Sequence, residues 1–191
     1  MILFAHYSVS TFTNVYVLAC PVTRMAVIID PARFEAPILD FIESEGLSLT
    51  AVLVTRPEEI LLRGIGTLRK IYGASIYGGK PDIAGFPTRI PDDGDVLTLG
   101  MYSIEARTIS PHVPDTRVFR CGHLLFSGPV LSAGTIIAEQ PGYSGVLMRR
   151  AVRERLLSLP PETLVMPREG PPSTIGVERS TNIDLSPEPE D

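Results

Sequence analysis

An apolar segment between two amphipathic segments constrains the fold of this chain most. Residues 49–54 are almost entirely apolar and have the length of a buried strand. Apolar residues recur at helical spacing before this segment, over residues 34–42, and after it, over residues 60–72. Gly46 and Gly73 follow the two helical patterns and supply their stop signals. The sequence therefore predicts a βαβ unit and an alternation of strands and helices.

The rest of the chain is richer in predicted strands than in helices. Further strands are predicted at residues 15–18, 25–29, 74–77, 96–99, 102–108, 118–120, 124–126 and 164–166. Further helices are predicted at residues 146–157 and 175–179. The last six residues, 186–191, are acidic, contain proline and offer no core side chain. We therefore expect one domain over residues 1–185 and a disordered acidic tail over residues 186–191.

Composition excludes several classes of function. The net charge is -5, which disfavours nucleic acid and anionic membranes as partners, because both require a basic face. No segment reaches the ~20 apolar residues of a membrane span, and no signal peptide is recognisable at the start. Cys20 and Cys121 are far apart and lack a CxxC partner, which is typical of reduced thiols. We therefore expect a cytoplasmic protein.

Six short segments, in this order, carry a family resemblance. They are Thr13-Asn14-Val15-Tyr16, Ile29-Asp30-Pro31, and residues 49–55, 93–100, 125–128 and 165–176. In these segments the chain resembles metallo-β-lactamase-fold proteins of the glyoxalase II and persulfide dioxygenase type. The resemblance extends over residues 13–182 and implies an α/β (α+β) fold, a four-layer αββα sandwich. It also implies a site built from strand-end loops at one edge of the two sheets.

The resemblance assigns seven positions to metal ligands, five of them histidine and two aspartate in the family. In this sequence they are Arg56, Glu58, Ile60, Leu61, His112, Pro129 and Glu169. Arginine stays protonated and has no lone pair to donate, and the proline and the two aliphatic side chains carry no donor atom. The usual metal site is therefore not expected. The favoured hypothesis is a pseudoenzyme without a metal or other cofactor.

Six residues are candidates for lining the cleft at this edge: Arg56, Glu58, Glu59, His112, Arg168 and Glu169. Their charges allow two interpretations. In the favoured interpretation, the two arginines pair with Glu58 and Glu169 and replace the charge of the metal. In the alternative, Glu58, His112 and Glu169 hold one iron, zinc or manganese ion. That site would serve a hydrolase or dioxygenase acting on a thioester or persulfide-like substrate.

The sequence also supports interpretations of the histidines, of Asp30 and of the partner. His112 is interpreted as a leftover ligand rather than a reused functional group, His6 as a structural histidine, and His123 as an exposed turn residue. Asp30, at a strand end, is expected to brace neighbouring loop backbone. The expected partner of a pseudoenzyme is an unidentified small molecule or protein. A homo-oligomer whose other subunit carries intact ligands is a further alternative.

Overall fold

The computed structural model describes residues 1–109, 113–136 and 143–185. Its strands are β1 Ile2–Ser8, β2 Thr13–Ala19, β3 Met25–Ile29, β4 Ser48–Leu53, β5 Ser75–Tyr77, β6 Asp82–Ile83, β7 Phe86–Arg89, β8 Val96–Leu99, β9 Tyr102–Thr108, β10 Arg117–Cys121, β11 Leu124–Gly128, β12 Leu131–Ser132, β13 Thr135–Ile136, β14 Leu164–Pro167 and β15 Ser173–Thr174. Its helices are α1 Ala36–Ser44, α2 Glu59–Tyr72, α3 Tyr143–Arg155 and α4 Ile175–Thr181, followed by a 3₁₀ turn at Ile183–Leu185. His112 and the proposed acidic tail lie outside the described residues.

Most of the strands belong to two mixed sheets. Sheet 1 has the order β1-β2-β3-β4-β5-β7-β6, and sheet 2 the order β15-β14-β11-β10-β9-β8. Strands β3, β4, β5 and β7 run parallel, so their carboxyl ends meet at one edge of sheet 1. Strands β11 and β14 are also parallel. The predicted βαβ unit is thus present as β3, α1 and β4.

Three apolar layers hold the two sheets and their helices together. Alternation along β2 sends Val15 and Val17 to the helix side of sheet 1 and Tyr16 and Leu18 towards sheet 2. Ile38 and Ile42 of α1 and Leu61, Ile65 and Leu68 of α2 pack on that helix side. Val152, Leu156 and Ile175 pack on the outer face of sheet 2. This is a four-layer αββα sandwich, and the predicted fold class is confirmed.

Two details of the helices differ from the sequence prediction. Helix α1 begins at Ala36, not at Phe34, because Glu35 has extended backbone angles and proline occupies the first turn. The helical periodicity over residues 60–72 also predicts that Ile71 faces inward, but Ile71 is 55% exposed near the end of α2. Phe34 instead packs from the loop, with its ring edge against Tyr72. Within the described ranges, no helix is both long enough and apolar enough to cross a membrane.

Candidate functional site

The candidate site lies where buried strands of both sheets end. Asp30 directly follows β3, Thr55 lies two residues beyond β4, and Arg168 directly follows β14. All three side chains are buried. Asp30 has a left-handed backbone with φ of 49°, which turns the chain sharply at the end of β3. The strand ends therefore bring an acid, a hydroxyl and a guanidinium to one edge of the sandwich.

Asp30 braces the loop after β4, as expected from its position. Thr55 donates twice to its carboxylate, from the backbone N–H to Oδ1 at 2.8 Å and from Oγ1 to Oδ2 at 2.6 Å. Burial raises the pKa of Asp30 above its ordinary value, although the charge of Arg168 and the two hydrogen bonds from Thr55 oppose this shift. Asp30 thus fixes the backbone from which Arg56 and Glu58 project.

Arg168 lies at the centre of the charged cluster. It is only 3% exposed, and its Nη2 lies 2.9 Å from Oε2 of Glu58 and 3.3 Å from Oε1 of Glu169. Burial alone would lower the pKa of Arg168, but the charges of Asp30 and Glu58 raise it above its ordinary value. The guanidinium therefore stays protonated and neutralises the carboxylates around it.

Two other donors of Arg168 are left without a partner. In the part of the chain that the structure describes, Nε and Nη1 are buried and donate to no acceptor. Buried donors in native proteins are nearly always paired with protein, ordered water or ligand. Among the described residues, these two enclosed N–H groups therefore have hydrogen-bonding capacity that no acceptor uses.

The loop that carries Arg168 is held by strand β2. Asn14 donates from Nδ2 to the carbonyls of Pro167 at 3.0 Å and Gly170 at 2.7 Å, and its backbone N–H donates to the Arg168 carbonyl at 2.6 Å. The Tyr16 hydroxyl donates to the Pro167 carbonyl at 2.7 Å. Burial and the nearby Asp30 raise the pKa of Tyr16, which keeps this hydroxyl protonated. These bonds fix the direction of the Arg168 side chain.

The structure brings four of the six predicted cleft residues together. Arg56 Nε lies 3.6 Å from Oε1 of Glu58, so Glu58 lies between the two arginines. Glu59 is exposed at the first position of α2, and His112 lies outside the described residues. The ion pairs of the favoured interpretation are present, from Glu58 to both arginines and from Arg168 to Glu169.

Sequence reasoning missed the contacts that hold this cluster in place. It placed Asp30 at the neighbouring loop but did not couple it to Arg168, and it assigned no role to Asn14 or Tyr16 in holding the Arg168 loop. Polar side chains inside a strand otherwise buried, as in β2, were the available signal. Over residues 1–109, 113–136 and 143–185, no three His, Cys, Asp or Glu side chains form a group able to hold a metal ion.

Comparisons with known proteins identify relatives of this chain in sequence and in fold. The chain is 32% identical over 164 residues to a protein of Chromohalobacter salexigens named hydroxyacylglutathione hydrolase, a match that covers 79% of this chain and 59% of that relative. The chain thus spans less than two thirds of that relative's length. No protein-family model matches the chain.

Two solved structures share almost the whole fold. The BLEG-1 B3 metallo-β-lactamase has a TM-score of 0.84 at 22% identity, covering 97% of this chain and 100% of that one. The protein TTHA1623 in a di-iron-bound form has a TM-score of 0.77 at 25% identity, covering 94% and 98%. The αββα sandwich of this chain is thus the fold of these solved structures. This chain has the metallo-β-lactamase fold.

Proposed function

We propose that this protein is a pseudoenzyme of the metallo-β-lactamase-fold superfamily, a binding protein that works without a metal ion. In this proposal the guanidinium of Arg168 supplies the positive charge at the strand-end site. The supporting observation is the ion pair between the buried Arg168 Nη2 and the half-buried Glu58 Oε2, at 2.9 Å. A guanidinium held this way orients the surrounding loops but cannot activate water as a metal does.

The donor set of the described residues does not fit a metal ion. A catalytic metal is usually held by three or more protein ligands with one open position. Glu58, the one first-loop carboxylate at a position that the resemblance assigns to a ligand, already accepts a hydrogen bond from Arg168 and forms an ion pair with Arg56. A cation on Glu58 would lie close to the buried charge of Arg168, and like charges repel strongly at such distances in a protein interior. We therefore derive no reaction step through a metal.

The unpartnered donors of Arg168 indicate what kind of partner the site takes. Nε and Nη1 are enclosed donors, so a ligand that displaces the surrounding side chains and reaches them should present oxygen acceptors. The partner is an unidentified small molecule or a protein segment bearing carbonyl or carboxylate groups. Binding of such a partner would serve a regulatory or recognition role.

A metal-dependent hydrolase or dioxygenase is the second candidate. It is favoured by the name of the sequence relative, hydroxyacylglutathione hydrolase, which describes a hydrolase of a glutathione thioester. In this protein the activity would require Glu58, His112 and Glu169 to hold one iron, zinc or manganese ion. Arg168 would then have to release both glutamates, because it bonds each of them.

Elemental analysis of untagged protein, purified without chelator from medium supplemented with iron, zinc and manganese, tests the proposal. We expect far less than one equivalent of each metal and no hydrolysis of an acyl-glutathione thioester above the rate of heat-denatured protein. Glu58→Ala serves as the matched variant. Near-stoichiometric metal that Glu58→Ala loses, together with thioester hydrolysis, would establish the hydrolase instead.

A further inference from the structure

A second cleft opens on the side of the sandwich, between sheet 1 and the edge strand β8 of sheet 2. Its volume is about 550 Å³, within the range of about 300–1,000 Å³ typical of small-molecule sites. Its floor is formed by Val27, Ala51 and Ile104, which are buried side chains of the layer between the sheets. None of its described lining residues belongs to the strand-end site. The cleft is therefore a separate place for a ligand.

A β-bulge shapes one wall of this cleft. The pairing of β3 with β4 shifts between Ala26–Leu49 and Val27–Ala51, which leaves Thr50 as an extra residue in β4. As a result Thr50 and Ala51, although consecutive, both line the cleft. The Thr50 hydroxyl donates to the Ala26 carbonyl at 3.1 Å and so holds the bulge. Bulges are rare in parallel pairs and often re-aim side chains beside functional sites.

The polar end of the cleft carries a positioned cation. The Arg89 guanidinium lies over the ring of Tyr77 at 5.6 Å, and its Nη1 donates to the Tyr77 hydroxyl at 3.0 Å. Among the described residues, no carboxylate lies within ion-pair distance of Arg89. Asp95 also lines the cleft, but its Oδ2 accepts from the backbone N–H of Asp92 at 2.9 Å. Arg89 is thus oriented by an aromatic ring, with donors left for an anion.

The mouth of the cleft exposes apolar side chains. Val96 is 59% exposed and Ile90 is 44% exposed, and both line the opening. A short apolar floor, an apolar mouth and one cation together match a ligand with an apolar body and an anionic head. Exposed apolar surface at a concave site is typical of a binding groove.

We propose that this cleft binds a small amphipathic carboxylate. The apolar body lies between the sheets against Val27, Ala51 and Ile104, and the carboxylate accepts hydrogen bonds from Arg89. This inference does not depend on whether the strand-end site holds a metal.

Calorimetry with decanoate, used below the concentration at which it forms micelles, tests whether the cleft binds a carboxylate through Arg89. We expect Arg89→Gln to weaken decanoate binding roughly tenfold, the size of one charge-assisted contact. The matched control is Arg150→Gln, which removes an exposed arginine paired with Glu154 on α3 and should leave binding unchanged. Decan-1-ol, which has no charge, should bind the wild type and Arg89→Gln equally. Absence of decanoate binding, or equal binding by Arg89→Gln, overturns the proposal.

Methyl resonances test the place of the site. Decanoate should shift the methyl signals of Val27, Leu97 and Ile104, and Ala51→Phe should abolish these shifts by filling the floor. Unshifted methyl signals at saturating decanoate overturn the proposal, whether or not Ala51→Phe folds. Full shifts in a folded Ala51→Phe variant overturn it as well.

Discussion

Arg168 is the residue on which the account of the strand-end site depends. Removing an ion of this size from water costs several kcal/mol unless partners compensate it. Here Glu58 and Glu169 lie within ion-pair distance, and Asp30 adds a further favourable charge. The sequence predicted the pairing but not that Arg168 would be its buried centre. That burial depends on bonds from Asn14 and Tyr16, more than 150 residues away in the chain.

Glu58→Gln should destabilise the protein because it leaves the Arg168 charge with less compensation. Removing one partner of a fully buried pair costs about 3–5 kcal/mol, and the partial exposure of Glu58 reduces our expectation to about 1–2 kcal/mol. The control is Glu59→Gln, which removes the exposed neighbouring carboxylate and should change stability by less than about 0.5 kcal/mol. Urea unfolding of both variants measures the difference. Equal losses for the two would argue against a stabilising ion pair between Glu58 and Arg168.

Glu35 should make stability depend on pH in the acid range. Hydrogen bonds from His6 and Ser8 lower its pKa from 4.5 to about 2. A lowered folded pKa means that ionised Glu35 adds stability above pH 4.5, and that this contribution is lost as the pH falls towards 2. Glu35→Gln should therefore flatten the stability curve in this window. A wild-type and a variant curve of the same slope between these pH values would contradict the assignment.

At the scale of elements, the contact between the end of β11 and the loop after β4 shapes the strand-end site. Gly128 has φ of +57°, and a Cβ there would lie 2.1 Å from Thr55 Oγ1. Only glycine allows this approach, because both the backbone angle and the space exclude a side chain. The close approach brings the Arg168 loop, which hydrogen-bonds to Gly128, against the Asp30–Thr55 pair.

Gly128→Ala should therefore destabilise the protein by more than the backbone angle alone explains. Strain at a positive φ costs about 1–2 kcal/mol, and overpacking against Thr55 adds about 1–3 kcal/mol. Gly122→Ala is the matched control, since Gly122 has φ of +58° but no atom within 4 Å of an added Cβ. Thermal unfolding of the two variants separates the two causes. A Gly128→Ala variant as stable as Gly122→Ala would show that the loop has room to move.

The elements also show what sequence patterns can and cannot predict. The bounds predicted for the strand at residues 49–54 and the helix at residues 60–72 lie within one residue of the observed bounds. This agreement arises because burial imposes an apolar pattern on both elements. The bulge at Thr50 was not predictable. It depends on the pairing with β3, and the sequence around Thr50 shows no glycine or proline that would mark it.

For the molecule as a whole, the two-sheet sandwich followed from segments spread over most of the chain, and the comparisons confirm it. The resemblance also assigned the charged residues Arg56, Glu58 and Glu169 to one edge of the sandwich. Their mutual geometry did not follow from the sequence, because the charged residues come from loops of both sheets that meet only after the sandwich closes. The sequence could therefore predict the edge and its charges, but not which donor lies at the centre.

The most direct test of the central claim is the free energy of unfolding with and without divalent metal. A ligand that binds only the folded state must raise this free energy, by about 2.7 kcal/mol at a hundredfold excess over its dissociation constant. If Arg168 supplies the charge, urea unfolding of untagged protein should have the same midpoint with excess zinc, manganese or ferrous iron as with chelator. A midpoint that rises with one of these metals, and does not rise in Glu58→Ala, would contradict the account.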